Sequence, residues 1–127
     1  MVFSGFKKIF FLFLISLLWS GCTKTIEIEG FDKAAWKQDK LGCDGVRDEL
    51  SIVLFTNKGQ LFNTNQRAIS KLLGSPNQKQ LYRRNQQFFV YYLSPGSQCD
   101  NGQDEEGATL HIRFGALNKV NEVFIVE

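Results

Sequence analysis

Cys22, Cys43, Cys99 and His111 hold most of the chemistry available to this 127-residue chain. A thiol can be acylated, paired with a second thiol or bound to a metal. An imidazole can act as a general base when a nucleophile and an orienting acid stand beside it. The spacing narrows these options. A redox or metal-binding cysteine pair would call for a CxxC spacing or further histidines, and the chain has neither. His111 sits in Thr109-Leu-His-Ile-Arg-Phe114, on the polar side of an alternating pattern and next to Arg113, with no recognisable Ser or Cys nucleophile motif. It reads as a solvated strand residue. The chain therefore reads as no enzyme, and a hydrolase built on His111 is the weakest of the functional readings. Asp100, Asp104, Glu105 and Glu106 are close in sequence, but their spacing does not follow a calcium-binding loop of the EF-hand type, so they read as a solvated acidic loop. No catalytic residue, metal ligand or diffusible cofactor is expected.

The first cysteine has a different setting. Lys7 and Lys8 close a short basic start, Ile9 to Trp19 is apolar except for Ser16, and Ser20-Gly21-Cys22 supplies a small-residue exit. Those are the three parts of a secretory signal. The apolar run is well short of the roughly 20 residues that span a bilayer, which argues against a spanning anchor. Leu18-Trp19-Ser20-Gly21-Cys22 resembles the lipobox of bacterial lipoproteins, with Trp19 where an aliphatic residue is usual. That resemblance implies cleavage before Cys22, a signal peptide at 1–21, and acyl chains on Cys22 as the membrane anchor. The other reading is an ordinary signal peptide with a chance cysteine. Each buried CH₂ contributes about 0.8 kcal/mol, so two or three acyl chains hold stably where one would not. Thr23, rather than Asp, follows the cysteine, which in the resembled class implies sorting to the outer membrane, with the domain in the periplasm or at the cell surface.

Removing residues 1–21 discards Lys7 and Lys8 and no acid. It leaves 106 residues with 13 basic and 13 acidic side chains, one small domain of zero formal charge with His111 neutral. Such a domain has no net basic field to attract nucleic acid. With Cys22 assigned to the anchor, Cys43 and Cys99 remain as an even pair in an oxidising compartment and are expected to form a disulfide.

Local patterns place these residues on elements. Residues 22–32 read as a tether before a domain at 33–127, and Phe31 to Trp36 as a local hydrophobic grip. From Gly45, residues Val46, Leu50, Val53 and Leu54 share one helical face, with Asp44 a candidate cap and Asp48 and Glu49 in the first turn. Asn57-Lys-Gly59 ends that helix. Asn65 caps a second helix, Ala68, Ile69, Leu72 and Leu73 form its stripe, and Gly74 and Pro76 stop it. Gln87 to Leu93 is an aromatic strand, apolar on both faces. Thr109–Phe114 alternates, and Val120–Val126 returns after a turn. Lys79–Arg84 reads as a short strand or an irregular crossing. A long polar loop joins Leu93 to Thr109, and Cys99 could tie it to the first helix. This order predicts an α+β fold: a two-layer sandwich of two N-terminal helices packed on a three-stranded antiparallel sheet.

Ile69-Ser-Lys-Leu-Leu-Gly-Ser-Pro76, the strand ending Tyr91-Tyr92-Leu93, Leu110-His-Ile-Arg-Phe-Gly115, then Val120 and Val123 form one ordered pattern. It resembles the SmpA/OmlA/BamE-like lipoproteins from Ile69 to Val126, together with the lipobox. The resemblance implies two helices on a three-stranded sheet and a part in outer-membrane protein assembly or envelope integrity. The cysteine pair, the Trp36/Asp39/Cys43/Arg47 stretch and the acidic loop lie outside that pattern.

Phe88, Val90 and Tyr92 alternate with Phe89, Tyr91 and Leu93, so one row packs under the helices and the other faces away. Trp36, Tyr82, Tyr91 and Tyr92 are the candidate partner-binding aromatics, because aromatic side chains dominate interface anchors. The opposing reading makes them ordinary core and sheet cover. A membrane-anchored module that binds another envelope protein is the first functional expectation. A small-ligand-binding or enzyme-inhibitor domain is the second.

Overall fold

The computed structural model describes residues 24–100 and 104–127; the signal segment, Cys22 and Thr23 lie outside them. Helix α1 (Lys33–Gln38) begins where Asp32 accepts the backbone N–H of Ala35. Helix α2 spans Val46–Thr56, a 3₁₀ turn follows at Lys58–Gln60, and helix α3 spans Gln66–Leu73. Four strands then run in a meander: β1 (Gln78–Tyr82), β2 (Gln86–Tyr92), β3 (Thr109–Phe114) and β4 (Val120–Val126). They form one antiparallel sheet in the order β1-β2-β3-β4. The α+β class stands, with three helices and four strands among the described residues instead of two and three. No helix among these residues is long and apolar enough to cross a membrane.

The two extra elements have physical reasons to be hard to read. α1 has only six residues, too few to be stable alone, and it is held by its buried Trp36. β1 is exposed along its whole length and shows no apolar alternation. It is a strand because β2 lends it backbone partners, from Gln78 opposite Val90 to Tyr82 opposite Gln86. Positive φ at Arg84 and Asn85 closes the tight turn between them.

α3 matches its sequence signals. Asn65 accepts the N–H of Ala68, Gly74 takes a positive φ at the C-cap, and Ala68, Ile69, Leu72 and Leu73 are buried. The start of α2 is different: Gly45, with φ 78°, occupies the cap position and makes no side-chain cap. The expected cap, Asp44, is replaced by Asp39, whose carboxylate accepts the N–H groups of Asp44 and Arg47 at 3.1 and 3.0 Å. A carboxylate from the preceding turn thus satisfies the donors that the helix itself leaves open.

The helices cover one sheet face. Phe89, Tyr91, Leu110, Ile112, Phe114, Val120 and Val123 meet Trp36, Leu54, Leu61, Ile69, Leu72 and Leu73 in one core. Ile26, Ile28 and Phe31 belong to the same core, so the packed unit starts within the expected tether and not at Lys33. Gly42 lets the α1–α2 loop pass close to β2. Its φ is 68°, and a Cβ there would lie 2.9 Å from the carbonyl of Tyr92.

Candidate functional site

The sheet face turned away from the helices carries a band of aromatic rings contributed by all four strands. The register puts Phe88 opposite Gln80 and Arg113, and His111 opposite Val90 and Phe124. Side chains alternate along each strand, so these residues all project outward. Tyr82 meets Phe88 edge-on with ring centroids 5.4 Å apart, and Phe88 meets Phe124 edge-on at 6.0 Å. His111 stacks on Phe124 at 5.0 Å with planes 15° apart, and it touches the edge of Phe88. Such pairs favour edge-on or offset geometry because ring faces are negative and ring edges positive.

His111 is therefore half-buried among rings rather than fully solvated as expected. Burial pulls its pKa below the ordinary imidazole value. One of its nitrogens, Nε2, lies 3.0 Å from the Thr109 hydroxyl. Arg113, on the same face, is held by Glu122 at 2.8 Å and by Asn121.

Beside the aromatic band lies a groove of about 490 Å³. Gln78, Gln80, Tyr92, Thr109 and His111 form its sheet wall, and Ser97, Gln98, Glu106 and Gly107 form its loop wall. Val90 lies between them and is almost fully buried, although it points away from the helices. The loop is fixed at several points. Ser97 N–H donates to Glu105, Leu93 N–H to Ala108, and Gln98 Nε2 to the carbonyls of Leu41 and Ser94. Cys99 is joined to Cys43 in a disulfide, with Cα atoms 5.9 Å apart. The expected pairing is present, and it ties the loop to the approach to α2.

The four candidate aromatics separate. Trp36 and Tyr91 are fully buried, with ring centroids 6.2 Å apart, and present no docking surface. The indole N–H of Trp36 donates to Leu73, and the hydroxyl of Tyr91 to Gly74, so both serve the core and the end of α3. Burial pushes the Tyr91 phenol pKa well above its usual range. Tyr82 is exposed and Tyr92 partly so, and both remain on the outer face. Phe88, His111 and Phe124, which the pattern left unassigned to a site, join them. The register between four strands brings them together, and no one strand's sequence displays it.

A second cluster sits under the helices. The guanidinium of Arg47 is buried over the rings of Trp36 and Tyr91, 5.0 and 5.9 Å from their centroids. Its Nε donates to Trp36 and its Nη1 to Asn77 Oδ1 and the Tyr92 carbonyl. Burial lowers its pKa, while Asp39 and Tyr91 oppose that shift. The acidic loop residues Asp104, Glu105 and Glu106 are exposed, as is Asp100. No group of three or more His, Cys, Asp or Glu side chains suited to a metal occurs among the described residues.

No protein-family model, curated protein or solved structure matches this chain.

Proposed function

We propose that the protein is a membrane-anchored bacterial lipoprotein, acylated on Cys22, that works without catalysis as a protein-binding or scaffolding module of the cell envelope. The observation that carries this reading is the aromatic band of Tyr82, Phe88, His111 and Phe124 on the sheet face the helices leave uncovered. Aromatic side chains at a surface supply large contact area at low entropic cost, as binding anchors require. The Cys43–Cys99 disulfide supports an oxidising compartment outside the cytoplasm. The outer membrane is the proposed site, with a partner in outer-membrane protein assembly or envelope integrity, as the likeness to SmpA/OmlA/BamE-like lipoproteins implies.

Two experiments test this. A fatty-acid analogue should label the wild type and not Cys22→Ala, and equal labelling of both removes the anchor. A photo-crosslinking residue at Phe124 or Tyr82 in intact cells should trap one envelope protein, and the same residue at the exposed Ile52 of α2 should not. Equal capture from both faces argues against the outer face as the docking surface. The groove beside Val90 favours a second reading, binding of a small ligand or of a segment of an inhibited enzyme. A soluble ligand that protects the loop from proteolysis would support it.

A further inference from the structure

The helical side of the molecule holds a pocket of about 420 Å³ lined by Lys37, Lys40, Arg47, Leu73, Gly74, Ser75 and Asn77. Three of these side chains are cations and none is a carboxylate. Arg47 is 2 % exposed, yet it forms no ion pair among the described residues. Asp39 is the carboxylate that acts on it, and both Asp39 oxygens accept backbone N–H groups at the start of α2. Burying a charge is costly unless it is paired or fully hydrogen-bonded. Three carbonyl oxygens compensate Nε and Nη1, and Nη2 has no partner among the described residues. No side-chain nitrogen or oxygen there is both sealed from solvent and unbonded, so Nη2 keeps some contact with solvent, and this pocket is the open space that Arg47 lines.

Apart from the Ser75 hydroxyl, the rest of the wall is also short of free side-chain acceptors. The one side-chain acceptor of Asn77 is committed: Oδ1 accepts from Arg47 and from Tyr92 N–H, while Nδ2 gives one of its two protons to the carbonyl of Lys40. Lys37 gives one of its three protons to the carbonyl of Lys71, and the side chain of Lys40 has no partner among the described residues. What the pocket offers is donors and positive charge around a buried guanidinium. We infer that this pocket binds a compact oxyanion, a carboxylate or phosphate group, held by Arg47, Lys37 and Lys40. The site lies apart from the outer sheet face and does not depend on the docking role proposed for it.

The test is calorimetric titration of the full chain in detergent with inorganic phosphate and, separately, with acetate. Saturable one-to-one binding of either is expected, and the better-bound anion identifies the ligand as phosphate-bearing or carboxylate-bearing. Replacing buried Arg47 risks misfolding, so the informative variant is Lys40→Gln at the rim. It should weaken binding about tenfold, the scale of one hydrogen bond to a charged group, at an unchanged unfolding temperature. No saturable binding of either anion overturns the inference, and so does binding that Lys40→Gln and Lys37→Gln leave unaltered.

Discussion

Asp39 caps the helix that contains Arg47 from eight residues upstream, its Oδ2 accepting the Arg47 N–H at 3.0 Å. The same carboxylate holds Asp44 and sits near the buried guanidinium. Asp39→Ala leaves two helix-start donors without their acceptor and removes the negative charge acting on Arg47. The expected loss is about 2 kcal/mol or more, above the usual range for an exposed cap. Asp39→Asn keeps one acceptor oxygen and should fall between wild type and Asp39→Ala. Urea unfolding midpoints of the three proteins check this ordering.

Trp36 fills the centre of the core and donates its indole N–H to the carbonyl of Leu73 at 3.1 Å. Trp36→Ala should cost about 3–5 kcal/mol through the cavity it leaves. Trp36→Phe retains most of the volume but leaves the Leu73 carbonyl without its donor, and should cost about 1–3 kcal/mol. If Trp36→Phe were as damaging as Trp36→Ala in chemical denaturation, the hydrogen bond rather than the volume would dominate.

The disulfide joins residues 56 apart in sequence. Closing a loop of that length removes enough freedom from the unfolded chain to contribute about 4 kcal/mol. The paired variant Cys43→Ser/Cys99→Ser should lose most of this, and its loop near Gln98 should become sensitive to protease. Thiol counting on the unreduced wild type should find neither Cys43 nor Cys99 free.

The pKa of His111 is lowered by burial, so the unfolded chain binds this proton more readily than the folded one. Stability tied to the neutral ring is complete above the unfolded value of about 6.5, and is lost as pH falls below it toward the lowered folded value. His111→Phe should keep the ring stack on Phe124 and remove that slope. Unfolding temperatures measured from pH 7.5 to pH 5 should therefore fall more steeply for wild type than for His111→Phe.

Much of this architecture was legible in the residues. α3 carried its own start and stop in Asn65, Gly74 and Pro76, and Leu110, Ile112 and Phe114 gave β3 its inward face. The disulfide followed from arithmetic once Cys22 was set aside. The remainder depended on distant partners. Gln78-Lys-Gln-Leu-Tyr82 has no pattern of its own and is a strand because β2 lies beside it. The burial of Arg47 has no local signal, since nothing near it in the sequence shows that Trp36, Asn77 and Tyr92 accept its hydrogen bonds. Trp36 and Tyr91 read either as docking anchors or as core, because an aromatic residue's type does not say which face it takes; both are core.

Ile26 and Ile28 are already part of the core, which would set the length of the leash from an anchor at Cys22 as proposed. Four residue steps separate Cys22 from Ile26, and a fully extended chain covers at most about 14 Å over that distance. With the acyl chains on Cys22, the domain would ride against the headgroups and could not sweep the space between membranes. Its encounters would be lateral, a two-dimensional search at high local concentration for a partner that shares the same bilayer.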